Sequence, residues 1–426
     1  MACEPAAQEK SAAQNWQTAS YGDGGREQKM RTLETSPTTA DPRPTLGAPG
    51  AVPARRDTRF DSLRGLLLVT MALNHIPSDL HPLTDGALGF VSSAEGFEFL
   101  SGLVLGLVYA RKRRKVGPDV VRTAAWRRVR QLYGAHLFTY GTVLALALGL
   151  LRLTGQTPGV LPELFFTHPG EALVSGALLL YRPGLLDILP MYCVFAALLP
   201  GLLGADAAGR RAWWLAGSVG LWAVAQVFAP AGPWLAGPVN SGAFSLTAWQ
   251  LLFVVGVFIG ADRAPPPRTA LVFVAAAAAL WLTLVHHGLA PAPWSDGQLD
   301  LLTSKVKLGP LRVIHFALIA VTVAALARRW PRAFAWPWLA PLGRHSLVVF
   351  SGHVVVAAMI LCLPALAESA VGRGFGTVTM LGALTLLALG AEAWDRRSRP
   401  DASAHLRWTV FARNRRRYTG HPVSTV

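Results

Sequence analysis

The stretch GFEFLSGLVLGLVYARKRRK, residues 96–115, shows the pattern that decides the fold. An apolar run rich in small residues ends abruptly in consecutive basic side chains. Apolar runs of about 20 residues can cross a bilayer as helices, and basic residues accumulate at the cytoplasmic ends of such helices. This stretch therefore predicts a membrane-spanning helix that ends in the cytoplasm.

The composition extends this pattern to the whole chain of 426 residues. Hydrophobic residues make up 52% and charged residues only 15%, against about 25% charged residues in typical soluble chains. The 41 Gly and 30 Pro residues are too many for long soluble helices but are tolerated in membrane helices. Three cysteines without a CxxC pattern predict neither a disulfide framework nor a metal site. These features argue against a soluble enzyme and against a disordered protein.

Apolar runs recur between about residues 60 and 395 and predict an all-α, polytopic membrane helical bundle with about ten transmembrane helices. The predicted spans are 60–79, 87–110, 132–153, 184–204, 212–230, 244–261, 268–288, 311–328, 344–366 and 374–395. The segment 171–181 is too short to span and is expected at the membrane interface. Gln226 and Gln250 are expected to hydrogen-bond between helices.

The basic residues predict that both termini are cytoplasmic. With that orientation, most of the 40 basic residues lie in cytoplasmic segments, which explains the net charge of +16 without nucleic acid. Three parts are predicted: a disordered cytoplasmic arm (1–55), a membrane domain (56–395) and a basic cytoplasmic tail (396–426). Residues 111–130 are expected to include an amphipathic surface helix against anionic lipid.

Polar side chains inside the predicted spans fall into two layers, and a charge in lipid costs about 2.5–3.5 kcal/mol on insertion scales. The layer near the cytoplasmic face consists of Arg64, His136, Arg344 and His345, with Arg128 and Arg130 just outside the third predicted span. Such a cation cluster suits a phosphate-bearing cytoplasmic ligand, and topology anchors are the alternative interpretation.

The outer layer consists of His75, Glu95, Glu98, Asp187, Arg312 and His315. Arg64 and His75 are eleven residues apart, about 16 Å along a helix, so one helix links the two layers. A histidine near buried carboxylates is a candidate general base, and a structural, hydrogen-bonded histidine is the alternative. His353 lies roughly on the same helix face as His345 and is a further candidate. Sequence motifs of serine hydrolases, P-loop proteins and zinc proteases are absent.

Eight stretches occur in a fixed order along the membrane domain: RDTRFDSLRG (56–65), NHIP (74–77), GFVSSAEGFEFLSG (89–102), RVRQLYGAHL (128–137), LLDILPMY (185–192), AWQLLFVVG (248–256), KVKLGPLRVIHF (305–316) and LGRHSLVVFSGHV (342–354). In this order they resemble the OpgC family, membrane proteins associated with succinylation of osmoregulated periplasmic glucans. That family is similar in turn to the acyltransferase-3 class. The class pattern is a basic residue, ten intervening residues and a histidine, here Arg64 and His75, with an FFxxSG-like stretch, here 97–102.

One departure concerns the residue before the histidine. The family usually reads Asp-His, whereas this chain reads Asn74-His75. If the family Asp orients the histidine, the orienting acid must come from elsewhere here, with Glu95 or Glu98 as candidates. Glu98 also stands where the wider class has Phe.

The resemblance implies an acyl-CoA-dependent O-acyltransferase in the bacterial cytoplasmic membrane, with a periplasmic glucan as acceptor. It implies succinyl-CoA or acetyl-CoA as donor substrate and no permanently bound cofactor, metal or nucleic acid. The expected catalytic residues are His75, Asn74, Glu95 and Glu98. The expected CoA-binding residues are Arg64, Arg128, Arg130, Arg344 and His345. The expected substrate-binding residues are Asp187, Lys307, Arg312, His315 and His353.

Three alternatives to this function remain open. The first is a transporter or flippase of an anionic or polyol substrate, which also has charges within the membrane and helices rich in Gly and Pro. The second is an acetyltransferase of another envelope polysaccharide, and the third is an inactive homologue, because of Asn74. No feature predicts the oligomeric state.

Overall fold

The computed structural model describes residues 57–155, 157, 161–228, 242–262, 267–363 and 368–398. The described part is helical throughout and contains no β-strand. The predicted arm (1–55) and the tail beyond Ser398 lie outside the described residues.

Long helices form the frame of the described chain, and we number them in chain order. They are α1 (Thr58–Asn74), α2 (Ser93–Val116), α3 (Pro118–Thr154), α4 (Ile188–Ala207), α5 (Arg211–Phe228), α6 (Leu246–Asp262), α7 (Thr269–His286), α8 (Pro310–Arg329), α9 (Ser346–Leu361) and α10 (Ala370–Ser398). Short helices span His81–Thr84, Leu164–Thr167, Pro169–Ala177, Asp296–Thr303 and Leu339–Arg344, with a 3-10 turn at Pro331–Phe334.

The described helices confirm the predicted all-α fold, and their length and composition agree with a membrane protein. Within the described residues, 6 helices are long and apolar enough to cross a membrane, namely α2, α3, α4, α7, α8 and α10. Helices α6 and α9 are apolar but shorter. Each predicted span overlaps one of the long helices, but ten crossings and cytoplasmic termini stay predictions.

The predicted surface helix at residues 111–130 is not a separate element. Its residues are divided between the end of α2 and the beginning of α3. Gly117 separates the two helices with a positive φ of 86°, a conformation that glycine adopts without strain. Pro118 follows at the first position of α3, where its missing N–H costs nothing. The break therefore turns the chain directly from one long helix into the next.

Helices α2 and α6 cross through two matching pairs of glycines. Gly102 and Gly106 of α2 face the backbone of Phe253 and Val257, and Gly256 and Gly260 of α6 face the backbone of Phe99 and Leu103. Both pairs have the GxxxG spacing that brings membrane helices into close backbone contact. The crossing therefore fixes α2, and with it the polar residues at the beginning of α2.

Helix α1 is packed closely against the short helix Leu339–Arg344. A side chain at Gly65 would overlap the backbone of Leu339, and one at Gly343 would overlap the backbone of Asp61. Asp57 begins α1 as its N-cap and accepts a hydrogen bond from the Arg59 N–H at 3.1 Å. Hydrogen bonds from the Arg59 side chain hold the pKa of the Asp57 carboxyl below its usual range, against the opposing effect of partial burial.

Of the two glutamines predicted to link helices, Gln250 does so and Gln226 binds the connection before α8. Gln250 of α6 accepts from the Ser218 hydroxyl of α5 at 2.7 Å and donates to the Ser218 carbonyl at 2.9 Å. Gln226 of α5 donates to the Lys307 carbonyl at 2.7 Å. The prediction is therefore confirmed for Gln250, whereas Gln226 joins α5 to the connection that contains Lys307.

Candidate active site

His75 lies at the C-terminal end of α1, on the same helix as Arg64. Its Nδ1 lies 3.0 Å from Nε2 of His353 on α9. The two rings are nearly parallel, with centroids 5.2 Å apart and an interplanar angle of 15°. The His75 side chain is half-buried, and its Nε2 makes no hydrogen bond to the described residues. One nitrogen is thus held by α9 while the other remains available.

Asn74 is engaged away from this histidine pair. Its Nδ2 donates to the Thr84 carbonyl at 3.1 Å, and its Oδ1 accepts from the Thr84 hydroxyl at 2.5 Å. The amide therefore fastens the short helix His81–Thr84 to the end of α1. We find no hydrogen bond from Asn74 to His75 among the described residues.

A continuous row of aromatic rings joins the histidine pair to Arg64. His353 meets Phe350 edge to face at 4.8 Å, and Phe350 lies 6.2 Å from Phe97. The Arg64 guanidinium lies 5.5 Å from the centre of the Phe97 ring, a cation–π geometry. The predicted link between the two polar layers therefore consists of α1 on one side and this aromatic row on the other.

The FFxxSG-like stretch of α2 binds α4 through Tyr192. The Tyr192 hydroxyl lies 2.6 Å from Ser101 Oγ and 3.0 Å from the Phe97 carbonyl oxygen. Glu98 is buried beside it, and its Oε1 has no hydrogen-bond partner among the described residues. Arg64 and Arg128 both lie within electrostatic range of the Tyr192 hydroxyl. Two of the predicted phosphate-binding cations therefore converge on one region of the interior.

Glu95 forms an ion pair with Arg312 and has no hydrogen bond to His75 in the described structure. Its Oε1 lies 2.6 Å from Nη1 of Arg312. Its Oε2 accepts hydrogen bonds from the backbone N–H and the hydroxyl of Ser92, at 2.9 and 2.6 Å, in a capping box. Both carboxylate oxygens are thus occupied, and the expected orientation of the histidine by Glu95 has no geometric basis. The charge of Arg312 is likewise neutralised within the protein.

The remaining predicted cations lie at or near the surface. Arg130 is exposed, and Arg344 pairs with Glu392 of α10. His345 and Arg344 line a cavity of about 260 Å³ together with acidic and basic side chains of α10. His345 also lines a mainly apolar groove of about 810 Å³ between α3, α9 and α10. These residues do not share the region near Tyr192 where the half-buried Arg64 and Arg128 converge.

Three predicted substrate-binding side chains are engaged with backbone groups. Asp187 is buried and accepts from the Ala243 N–H at 3.1 Å. Lys307 Nζ donates to the Gln226 carbonyl at 3.2 Å, and His315 Nε2 lies 3.1 Å from the Ala279 carbonyl. These contacts anchor helices and loops to one another.

Sequence reasoning missed several side chains near the site. Tyr192 lies in one of the resembling stretches but had no assigned role. Lys305 lies within electrostatic range of both His75 and Asp187, and its Nζ is 5.8 Å from the Phe244 ring. Arg182 is only 6% exposed, and its Nη1 has no hydrogen-bond partner among the described residues. The only signal for Lys305 was its place at the beginning of the stretch 305–316.

Comparisons with known proteins agree with this arrangement of stretches. A family model described as OpgC protein matches residues 56–398. No curated protein and no solved structure matches the chain. Within the described residues, no three His, Cys, Asp or Glu side chains form a group that could hold a metal ion.

Proposed function

This chain belongs to the OpgC family, and on that premise we propose that it moves an acyl group from acyl-CoA to sugar hydroxyls of a periplasmic glucan. Family membership supports a membrane glucan-modifying acyltransferase at a general level. The more specific proposal is a succinyl group, donated by cytoplasmic succinyl-CoA at the bacterial cytoplasmic membrane. The observation that supports it most directly is that α1 connects a half-buried cation, Arg64, to a half-buried histidine with one available nitrogen, His75.

The proposed donor site begins at Arg64 and Arg128. Guanidinium groups pair well with phosphate oxygens, and CoA bears its phosphates at one end of an extended arm and its thioester at the other. Arg64 and His75 are separated by about 16 Å of helix. We propose that the arm follows the aromatic row of Phe97 and Phe350, with the thioester beside His75. Arg344, His345 and Arg130 would then act at the surface, before the phosphates reach the half-buried Arg64 and Arg128.

The proposed reaction uses His75 as a general base. Its Nε2 accepts the proton of a sugar hydroxyl while the oxygen attacks the thioester carbonyl carbon. A new C–O bond forms, the C–S bond breaks, and CoA leaves as a thiolate. The proton then passes from His75 Nε2 to that sulfur, so the products are the sugar ester and CoA. General acid–base catalysis of this kind contributes typically about 10²–10⁴-fold to the rate.

Lys305 is the side chain that we propose for recognition of a succinyl carboxylate. Its ammonium lies within electrostatic range of His75, whereas Arg312 is already paired with Glu95. An ammonium beside the thioester would favour a donor with a carboxylate over acetyl-CoA, which has no charge to pair. Lys305→Gln is therefore expected to reduce succinyl transfer more than acetyl transfer.

The test is acyl transfer by the purified, detergent-solubilised protein. Labelled succinyl-CoA and acetyl-CoA are offered in parallel with a periplasmic-type β-glucan, with His75→Ala as the inactive control and exposed His287→Ala as the matched active control. Label that moves from succinyl-CoA to the glucan, and does not move in His75→Ala, supports the donor, the reaction and the base together.

Other outcomes have distinct meanings. Transfer from acetyl-CoA alone would refute the succinyl donor but keep the chemistry. A fully active His75→Ala would refute the catalytic assignment. No transfer from either donor, together with no thermal stabilisation by CoA, would refute the proposed enzyme and favour a flippase or an inactive homologue.

A further inference from the structure

The hydrogen bond between His75 and His353 contains a single proton, and its position decides whether His75 can act as a base. If Nδ1 of His75 bears the proton, Nε2 of the same ring has a free lone pair. If Nε2 of His353 bears it, the neutral His75 has its proton on Nε2 and cannot accept another there. The 3.0 Å separation between Nδ1 and Nε2 fits both arrangements equally well.

The surroundings of the other His353 nitrogen favour the first arrangement. His353 is fully buried, and its Nδ1 makes no well-aligned hydrogen bond among the described residues. The backbone groups that face it are the carbonyls of Val349 and Phe350, one turn earlier in α9. Carbonyl oxygens accept hydrogen bonds but cannot donate them. An N–H at His353 Nδ1 would therefore find an acceptor there, whereas a lone pair at Nδ1 would find no donor. His353 Nε2 is then the acceptor.

We infer that His353 is a positioning residue whose Nε2 accepts the Nδ1 proton of His75 and thereby leaves Nε2 of His75 free for the substrate hydroxyl. This inference rests on the proposed function. It assigns to a histidine on α9 the orienting role that an acid before the histidine would have in the family pattern. His353 was expected to bind substrate, but its burial and its bond to His75 favour this role instead.

Two of the other candidates for this role, Asn74 and Glu95, are engaged elsewhere, and the third, Glu98, makes no hydrogen bond to His75 in the described structure. Both polar atoms of the Asn74 amide bind Thr84. Both oxygens of Glu95 bind Arg312 and Ser92. Within the described residues, no carboxylate is hydrogen-bonded to either imidazole of the pair. His353 is therefore the residue that holds the ring of His75.

Packing keeps the His353 ring in place. Phe350 meets it edge to face at 4.8 Å, and the His75 ring lies nearly parallel to it, with an interplanar angle of 15°. When His75 takes the substrate proton, the bond from its Nδ1–H to His353 becomes charge-assisted and therefore stronger. The positive charge is stabilised at the moment when it forms, without movement of either ring.

The kinetic test compares two substitutions of His353. The amide oxygen of His353→Gln can still accept from His75 Nδ1–H, whereas His353→Leu removes the acceptor at similar bulk. We expect His353→Leu to lower kcat by about 10–100-fold, by analogy with the loss of the outer hydrogen-bond partner of a metal-bound histidine. We expect KM for acyl-CoA to stay unchanged and His353→Gln to recover most of the rate. His287→Gln and His287→Leu, at an exposed histidine, are the matched controls.

A spectroscopic test does not depend on activity. ¹⁵N-labelled histidine reports which nitrogen bears the proton, and the His75 signals are identified by their loss in His75→Asn. We expect protonated Nδ1 and unprotonated Nε2 for His75 in the wild-type protein. In His353→Leu, which has no acceptor at position 353, we expect the proton to shift toward Nε2.

Each outcome bears on the inference. Protonated Nε2 on wild-type His75 would overturn it, as would a folded His353→Leu with wild-type kcat or equal losses in His353→Gln and His353→Leu. If His353→Leu does not fold, the wild-type spectrum and the rate of His353→Gln decide. A wild-type protein that transfers no acyl group, yet shows protonated Nδ1, would refute the proposed function and leave the tautomer assignment in place.

Discussion

The glycine crossing of α2 and α6 leads to a prediction in which one kind of substitution has opposite effects at two places. Gly102→Ala and Gly256→Ala each add a methyl group where the other helix's backbone is in contact, at the carbonyls of Phe253 and Phe99. Gly141 lies within α3 and has nothing within 4 Å of the position that a Cβ would take. Gly141→Ala is therefore the matched control.

The expected magnitudes follow from two opposing effects. An ordinary carbon–oxygen contact needs about 3.3–3.6 Å, so an added methyl group at the crossing forces the helices apart. Such overpacking costs about 1–3 kcal/mol, whereas replacing a helical Gly by Ala gains about 0.5–1 kcal/mol. At the crossing these two ranges leave a net loss of up to about 2.5 kcal/mol per site. At Gly141 only the gain of about 0.5–1 kcal/mol remains.

Thermal unfolding of the detergent-solubilised protein measures these changes. We expect Tm to fall for Gly102→Ala and Gly256→Ala and to rise for Gly141→Ala. The activity of the crossing variants should fall as well, because α2 also positions Phe97 and Ser101. If Gly256→Ala raised Tm as much as Gly141→Ala does, the close backbone contact between α2 and α6 would be refuted.

Three further changes test the site itself. Arg312→Ala leaves the Glu95 carboxylate buried without its cation and should cost about 3–5 kcal/mol of stability. The double variant Arg312→Met, Glu95→Met should recover most of that loss in thermal unfolding. Equal losses in the two variants would contradict the ion pair. Tyr192→Phe removes a buried hydroxyl and should lower stability by about 1 kcal/mol. It should also lower kcat, because the beginning of α2 shifts. An unchanged Tm would contradict the expected loss of stability. Asn74→Asp cannot donate to the Thr84 carbonyl, so stability should fall and kcat should not rise in the transfer assay; a higher kcat would mean that an acid at this position still orients His75.

The helices were predictable because their signal is local. Apolar run length and the basic residues at 111–115 identify α2 without knowledge of any other element. Boundaries were less predictable, since Gly117 and Pro118 turn a charged stretch into the junction of two long helices. The number of crossings stays a prediction, because α1 has buried polar residues that a local hydropathy score cannot interpret.

The site was predictable in its members but not in its pairings. Glu95 and Arg312 were both candidates, yet they are 217 residues apart and their ion pair appears only once α2 and α8 are placed. Glu95 and Glu98 share a helix face at i, i+3, which gave no reason to choose between them. The structure distinguishes their roles, because Glu95 also caps α2 through Ser92. Sequence spacing within one helix fixes neighbours on that helix but not contacts between helices.

The contact of α1 with the chain's last third has a consequence for biosynthesis. His75 and His353 are 278 residues apart, and at about 5–20 residues per second the ribosome needs roughly 15–60 s to make the intervening chain. During that interval α1, with Asp61 and Arg64, has neither the short helix Leu339–Arg344 nor α9 beside it. The earliest of the described helices to be synthesised is thus among the last to reach its final neighbours. Among the described helices, α1 would therefore have the greatest need of an insertase or membrane chaperone that shelters polar helices. Truncation before residue 339 should leave α1 open to proteolysis.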